Sequence, residues 1–176
     1  MTPVVARQRL PYRACAGACL FNRLGLVLIG RRRPAGTEAG ELEFPWQLPQ
    51  GGIDEGEEPL AAARRELFEE TNVRSASLLA EAPGWLRYDL PDDAIGVALK
   101  GKYRGQKQKW YAFVFHGGDA EIDIERPGGG GHKPEFDAWR WERLDRLPGL
   151  VVGFKRPVYE QLAALFSDIP AKLADD

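Results

Sequence analysis

The chain is poor in the residue types that build several common sites. Its 176 residues include two cysteines, two histidines and one methionine. Cys15 and Cys19 share one apolar run, and residues four apart on a strand are too distant for a disulfide, so buried thiols are expected. With only two histidines beside them, no zinc cluster suggests itself. No apolar run reaches the 18 or so residues of a membrane-crossing helix. Near the N-terminus, Arg7, Gln8, Arg9, Pro11 and Arg13 interrupt any secretory core. The expectation is a cytoplasmic protein without membrane attachment. Charge of one sign is missing too: 24 basic against 26 acidic residues leave a net −2. That balance argues against a protein that coats nucleic acid or grips duplex DNA, while leaving local basic patches open. The run Gly128 to Gly131 lacks the Gly-Lys-Ser/Thr ending of a phosphate-binding P-loop and reads as a hinge or loop.

What is present centres on residues 51–73. Gly51-Gly52 feed a helix in which Pro59 suits the first turn, where its missing N–H is no loss. Glu57 and Glu58 stand at the same end, where negative charge favours the helix dipole. The interior is alanine-rich, and Asn72 can adopt the left-handed conformation that ends a helix. Glu66, Glu69 and Glu70 are spaced i, i+3, i+4 and project from one side. Leu60, Ala63 and Leu67 cluster on an adjacent side that can face a core. Like charges at this spacing cost roughly 0.2–0.5 kcal/mol per pair. Two readings stand. The acids form a solvated face paired with Arg64 or Arg65, or they hold a hard divalent cation such as Mg²⁺, which takes oxygen ligands and shares them with phosphates.

The rest of the chain reads as one domain over 1–176, with a core from about 12 to 168. Residues 14–21 and 26–30 are strands joined by a tight turn at Asn22-Arg23-Leu24-Gly25. Arg31-Arg32-Arg33 is a basic cluster at the strand end, either solvated or facing phosphate. Residues 34–44 form a Pro/Gly/Glu-rich loop. Ala76–Ala82 and Trp85–Leu90 read as short strands, 91–104 as a loop, and Gln106–Phe115 as a central strand that begins polar and turns apolar. The alternation in Ala120–Glu125 favours a half-buried strand. Glu135–Trp141 is a strand preceded by acids. Val158, Leu162, Leu165 and Phe166 mark an amphipathic terminal helix opened by Pro157. The order of elements implies an α+β (α/β) fold, a mixed sheet sandwiched between helices.

In order, Gly51, five residues, Glu57, seven residues, Arg65-Glu66-Leu67, Phe68, Glu69-Glu70, Thr71, Asn72 and Val73 resemble the signature box of the Nudix hydrolases. These enzymes split nucleoside diphosphates linked to another moiety. Asn72 departs from the usual glycine, a change expected to cost stability rather than chemistry. Further blocks resemble the bacterial RNA pyrophosphohydrolase branch of that family: Tyr12-Arg13, Trp46–Gly52, Trp85–Tyr88, Gly105–Trp110, Glu135–Trp141 and Phe154-Lys155-Arg156. The resemblance implies a Nudix fold and removal of pyrophosphate from 5′-triphosphorylated RNA, which promotes RNA decay. Hydrolysis of dinucleoside polyphosphates such as diadenosine tetraphosphate is the alternative. A catalytically silent domain that binds nucleotides or RNA ends is a third reading, opposed by the intact glutamates. The resemblance further implies Mg²⁺ (Mn²⁺ or another divalent metal as the alternative) at Gly51, Glu66, Glu69, Glu70 and Glu135. Glu66, Glu69, Glu70 and Arg65 are then the catalytic set, with Glu66 a candidate for activating water. Arg13, Arg32 and Lys109 are candidates for phosphate contacts, and Phe154 with Lys155 for holding a base or its neighbouring phosphate.

Overall fold

A computed structural model describes residues 9–34 and 43–176. The strands are β1 (Tyr12–Phe21), β2 (Val27–Arg32), β3 (Trp46–Gln47), β4 (Gln50–Gly52), β5 (Ala76–Glu81), β6 (Leu86–Asp89), β7 (Gly105–Phe115) and β8 (Phe136–Glu142). The helices are α1 (Pro59–Thr71), α2 (Arg156–Leu165) and α3 (Ile169–Ala174). The strands form one mixed sheet in the order β3-β2-β1-β7-β5, with β4 pairing β1, β6 pairing β7 and β8 pairing β2. The long central pair β1 and β7 is parallel, with Arg13 beside Gln106. At the turn before β2, the Asn22 carboxamide oxygen accepts the N–H groups of Leu24 and Leu26, at 3.0 Å each.

Because side chains alternate along a strand, the apolar stretches of β1 and β7 feed both faces of the sheet. On one face Ala16, Ala18, Leu20 and Phe113 meet Ala62, Ala63 and Leu67 of α1. On the other, Cys19, Phe21, Trp110 and Ala112 meet Val158, Tyr159 and Leu162 of α2 and Ile169 and Leu173 of α3. The expected sandwich of helices about a mixed sheet is the observed one. Leu67 is buried, and such a side chain contributes about 1.5–3 kcal/mol by leaving water. Cys15 and Cys19 are both free and buried. Burial pushes the Cys15 thiol up to about 11.

Helix α1 begins at Pro59 and ends at Thr71, and Asn72 closes it at φ 70°, ψ 5° with its N–H on the Phe68 carbonyl. The Asn72 side chain does more than tolerate this conformation. Its Nδ2 donates to the Glu121 carbonyl at 3.1 Å, and its Oδ1 accepts from the Gly129 N–H at 2.8 Å. It therefore ties the segment after β7 to the end of α1.

Several expectations are corrected. Ala120–Glu125 is not a strand: Asp119–Glu121 forms a 3₁₀ turn, and Ile122 and Ile124 are buried without a ladder partner among the described residues. The Glu121 carboxylate holds the segment instead, accepting from Arg74 N–H, Ser75 N–H and Ser75 Oγ–H. Gly128–Gly130, expected as a hinge or loop, forms a 3₁₀ turn within the connection from β7 to β8. Glu57 and Glu58 stand at the N-terminal end of α1 as expected, with Glu58 as the capping residue. Leu165 is 41% exposed, because α2 ends there and the chain turns into the unforeseen α3. Of the loop at 34–44, residues 35–42 lie outside the described residues.

Candidate active site

The acid face of α1 is organised by Arg65. Its Nε and Nη2 donate to the two Glu57 oxygens at 2.8 and 2.9 Å, and Nη2 also donates to the Gly52 carbonyl at 2.8 Å. Nη1 donates to Glu66 at 2.8 Å and Glu69 at 3.1 Å. One planar guanidinium thus fixes the glycine loop, Glu57 ahead of the helix and two of the three helix acids. The Glu57 carboxyl is held below its usual range by that hydrogen-bonded guanidinium.

The glycine loop comes close enough to α1 that a side chain at Gly51 would strike the Glu66 carboxylate, and one at Gly52 would meet the Arg13 guanidinium at 2.5 Å. A residue with a Cβ at either place would push a charged side-chain end aside. Glu66 is largely buried, which raises its pKa; Arg65 opposes the rise, while Glu69 and Glu135 add to it. Glu70 lies deeper, 3% exposed, and accepts the Gln50 N–H at 2.9 Å. Burial pushes its pKa well up, and a hydrogen-bonded Glu135 carboxyl and Glu66 push it further. Two carboxyls in contact must share a proton or a cation.

A cavity of about 580 Å³ opens from this acid cluster across the end of the sheet. Of the residues singled out in the sequence, Gly51, Glu66, Glu135, Arg13, Arg32, Phe154 and Lys155 line it. Glu69 and Arg65 flank it on α1, and Glu70 lies behind. Lys109 is not among the lining residues. It occupies the α1 face of β7, with its ammonium 5.2 Å from the centre of the Trp85 ring. Arg31, next to Arg32, turns outward to Asp137 at 2.6 Å. At the far end of the cavity the rings of Tyr88 and Phe154 lie 5.5 Å apart at 46°. Lys155 is 9% exposed, with Nζ 3.5 Å from Gln47 Oε1.

Tyr88, Gln47, Gln50, Gln106 and Asp93 line the same cavity without having been singled out. The alternation Gln106, Gln108, Trp110 offered a signal for one of them: the three join by hydrogen bonds of 2.8 and 2.9 Å on one face.

Gln50 supplies the test of whether a cation fits. Among the described residues, its Oε1 is a buried side-chain acceptor with no hydrogen-bond partner, and an orphaned acceptor of this kind costs about 1–3 kcal/mol. With the crowded carboxyls of Glu66, Glu70 and Glu135 and the Gly51 backbone beside it, the donor set is all oxygen, which suits a hard divalent ion. Among the described residues no three acids already converge as a preformed metal site. The Arg65 Nη1 meanwhile bridges the Glu66 and Glu69 carboxylates.

Several known proteins are similar to this chain. The NUDIX domain pattern matches residues 11–162. An RNA pyrophosphohydrolase of Rhizobium meliloti (strain 1021) is 58% identical over 161 residues, covering 91% of this chain and 96% of that protein. One of Mesorhizobium japonicum is 56% identical over 170 residues, covering 96% and 97%. Among solved structures, a binary complex of the C. elegans Ap4A hydrolase is similar with a TM-score of 0.59 at 18% identity, covering 88% of this chain and 98% of that one. At that identity the likeness concerns the fold.

Proposed function

The chain belongs to the NUDIX family, and from that premise we propose that it removes pyrophosphate from the 5′-triphosphate end of RNA, leaving a 5′-monophosphate. The observation that carries the reading is the cavity itself. It joins an acid cluster at one end to an aromatic pair at the other, with Arg13, Arg32 and Lys155 along its walls. That is the layout for a polyphosphate attached to one base. The high identity to two proteins named RNA pyrophosphohydrolase supports the same substrate.

Glu66, Glu69, Glu70, Glu135 and the Gly51 carbonyl would hold the divalent cation, and the all-oxygen set favours Mg²⁺ over softer ions. When bound, the cation neutralises phosphate charge and lowers the pKa of a nearby water. Glu66 faces the cavity and takes the proton of the attacking water. The new P–O bond forms in line with the breaking bond to the bridging oxygen, and pyrophosphate leaves with the bonding electrons. Arg13, Arg32 and Lys155 stabilise the charge on the transferring and leaving groups. Phe154 stacks on the first base, an interaction worth roughly 1–3 kcal/mol that tolerates different bases. Arg65 keeps the Glu66 and Glu69 carboxylates in position. Lys109 has no direct part at the reacting phosphates in this reading.

Dinucleoside polyphosphates present the same group, a polyphosphate on a 5′ carbon beside a base, and are the alternative substrates. We place the enzyme in the cytoplasm, in keeping with two free, buried cysteines. Product analysis tests the reaction: triphosphorylated RNA incubated with Mg²⁺ should yield pyrophosphate and monophosphorylated RNA. Release of single phosphates in succession, or no release, would refute it.

A further inference from the structure

A basic strip occupies the face of the sheet opposite the cavity, and the register of β6 and β7 builds it. Arg87 pairs with Lys107 across the two strands. Lys107 and Lys109, two residues apart and so roughly 6.8 Å along the strand, stand over one ring: their ammonium groups are 4.8 and 5.2 Å from the centre of Trp85. The Arg87 guanidinium lies 5.7 Å from the centre of the Tyr12 ring. Arg87 is exposed, while Lys107, Lys109 and Trp85 are half-buried. Among the described residues none of the three cations has a carboxylate partner, whereas neighbouring Arg104 is tied to Asp89 at 3.0 Å. Three unneutralised charges thus line up around aromatic rings on a protein whose overall charge is −2.

The strip is also joined to the cavity. Tyr88 lines the cavity, and Arg87, the residue before it on β6, projects from the other face. Among the described residues strand β6 pairs only with β7, so it forms an edge of the described sheet. A chain leaving the cavity across that edge meets Arg87, then Lys107, then Trp85 and Lys109.

We propose that this strip binds the ribose-phosphate backbone of single-stranded RNA downstream of the 5′ end held in the cavity. The proposal rests on the RNA reading above. Phosphates pair with Arg87 and the lysines, and Trp85 offers a stacking surface that tolerates any base. A dinucleoside polyphosphate gains nothing from such a strip, because it ends where the strip begins. The strip therefore makes affinity depend on RNA length.

The test measures binding by fluorescence anisotropy with 5′-monophosphorylated RNA, a dinucleotide against a longer unstructured strand, so that turnover is not needed. The double variant Arg87→Gln/Lys107→Gln should bind the longer strand several-fold more weakly and the dinucleotide as before. Its slope of log affinity against log salt on the longer strand should fall by about 1.4, at 0.7 per lost phosphate contact. The charge-keeping variant Arg87→Lys/Lys107→Arg should retain most of the wild-type affinity. An unchanged slope, or an equal loss on both lengths, would overturn the strip. Turnover of a triphosphorylated dinucleotide, measured alongside, tests the RNA reading separately.

Discussion

Replacing Asn72 by glycine sets two physical expectations against each other. Glycine is the residue of choice at a left-handed helix end, and the change relieves no more than about 1 kcal/mol of strain at φ 70°. Against that stand the two side-chain hydrogen bonds, to the Glu121 carbonyl at 3.1 Å and from the Gly129 N–H at 2.8 Å. Each is worth about 0.5–1.5 kcal/mol, and glycine adds about 0.5–1 kcal/mol of unfolded-state entropy. The balance predicts that Asn72→Gly destabilises by about 1–2 kcal/mol. For a chain of this length that is a fall of roughly 2–8 °C in Tm. Asn72→Ala loses both bonds and keeps the backbone strain, so it should fall further. Thermal unfolding by circular dichroism, wild type beside both variants, reads the order directly. A glycine variant as stable as the wild type or more so would refute the idea that this side chain ties the 121–129 segment to α1.

Other outcomes follow from the same geometry. Glu66→Gln should lower kcat by about 10²–10⁴-fold with the fold intact, the range for loss of a proton acceptor; wild-type turnover would remove Glu66 from that role. Gly51→Ala forces the Glu66 carboxylate aside, and steady-state kinetics should show kcat reduced about tenfold or more with a smaller change in KM. Burial alone would raise the Glu121 carboxyl, but its bonds from Ser75 and the Arg74 N–H outweigh that, and its pKa is lowered. A lowered folded-state pKa adds stability above the unfolded value of about 4.3, lost as pH falls through the folded value. Glu121→Gln should therefore be less stable than wild type at neutral pH, with the gap closing in acid, as denaturant titrations at several pH values can show. Cys15 and Cys19 should resist a thiol reagent in the native protein and react on unfolding.

The sequence disclosed the site wherever the geometry is local. Spacing along one helix put Glu66, Glu69 and Glu70 together, and two glycines before it announced the close approach that Gly51 makes. Glu135 was reached only through resemblance, because its contact with Glu70 closes a loop of more than sixty residues. The role of Lys109 turned on which face of β7 meets the cavity. Alternation shows that Lys107 and Lys109 share a face, but only the pairing of Arg13 with Gln106 says that the glutamines take the cavity side. Ala120–Glu125 alternates as a strand does because Ile122 and Ile124 are buried, yet its backbone bonds go to a turn and to Thr71. The hydrogen bonds of Asn72 were invisible for the same reason: their partners lie 49 and 57 residues away.

The most direct test of the account compares kcat/KM, with Mg²⁺, for a triphosphorylated RNA and for diadenosine tetraphosphate on the same preparation. The account predicts the RNA to be the better substrate, because the Tyr88 and Phe154 pair in the cavity suits one base and the outer basic strip serves only a longer chain. A wide preference for the dinucleotide would contradict it.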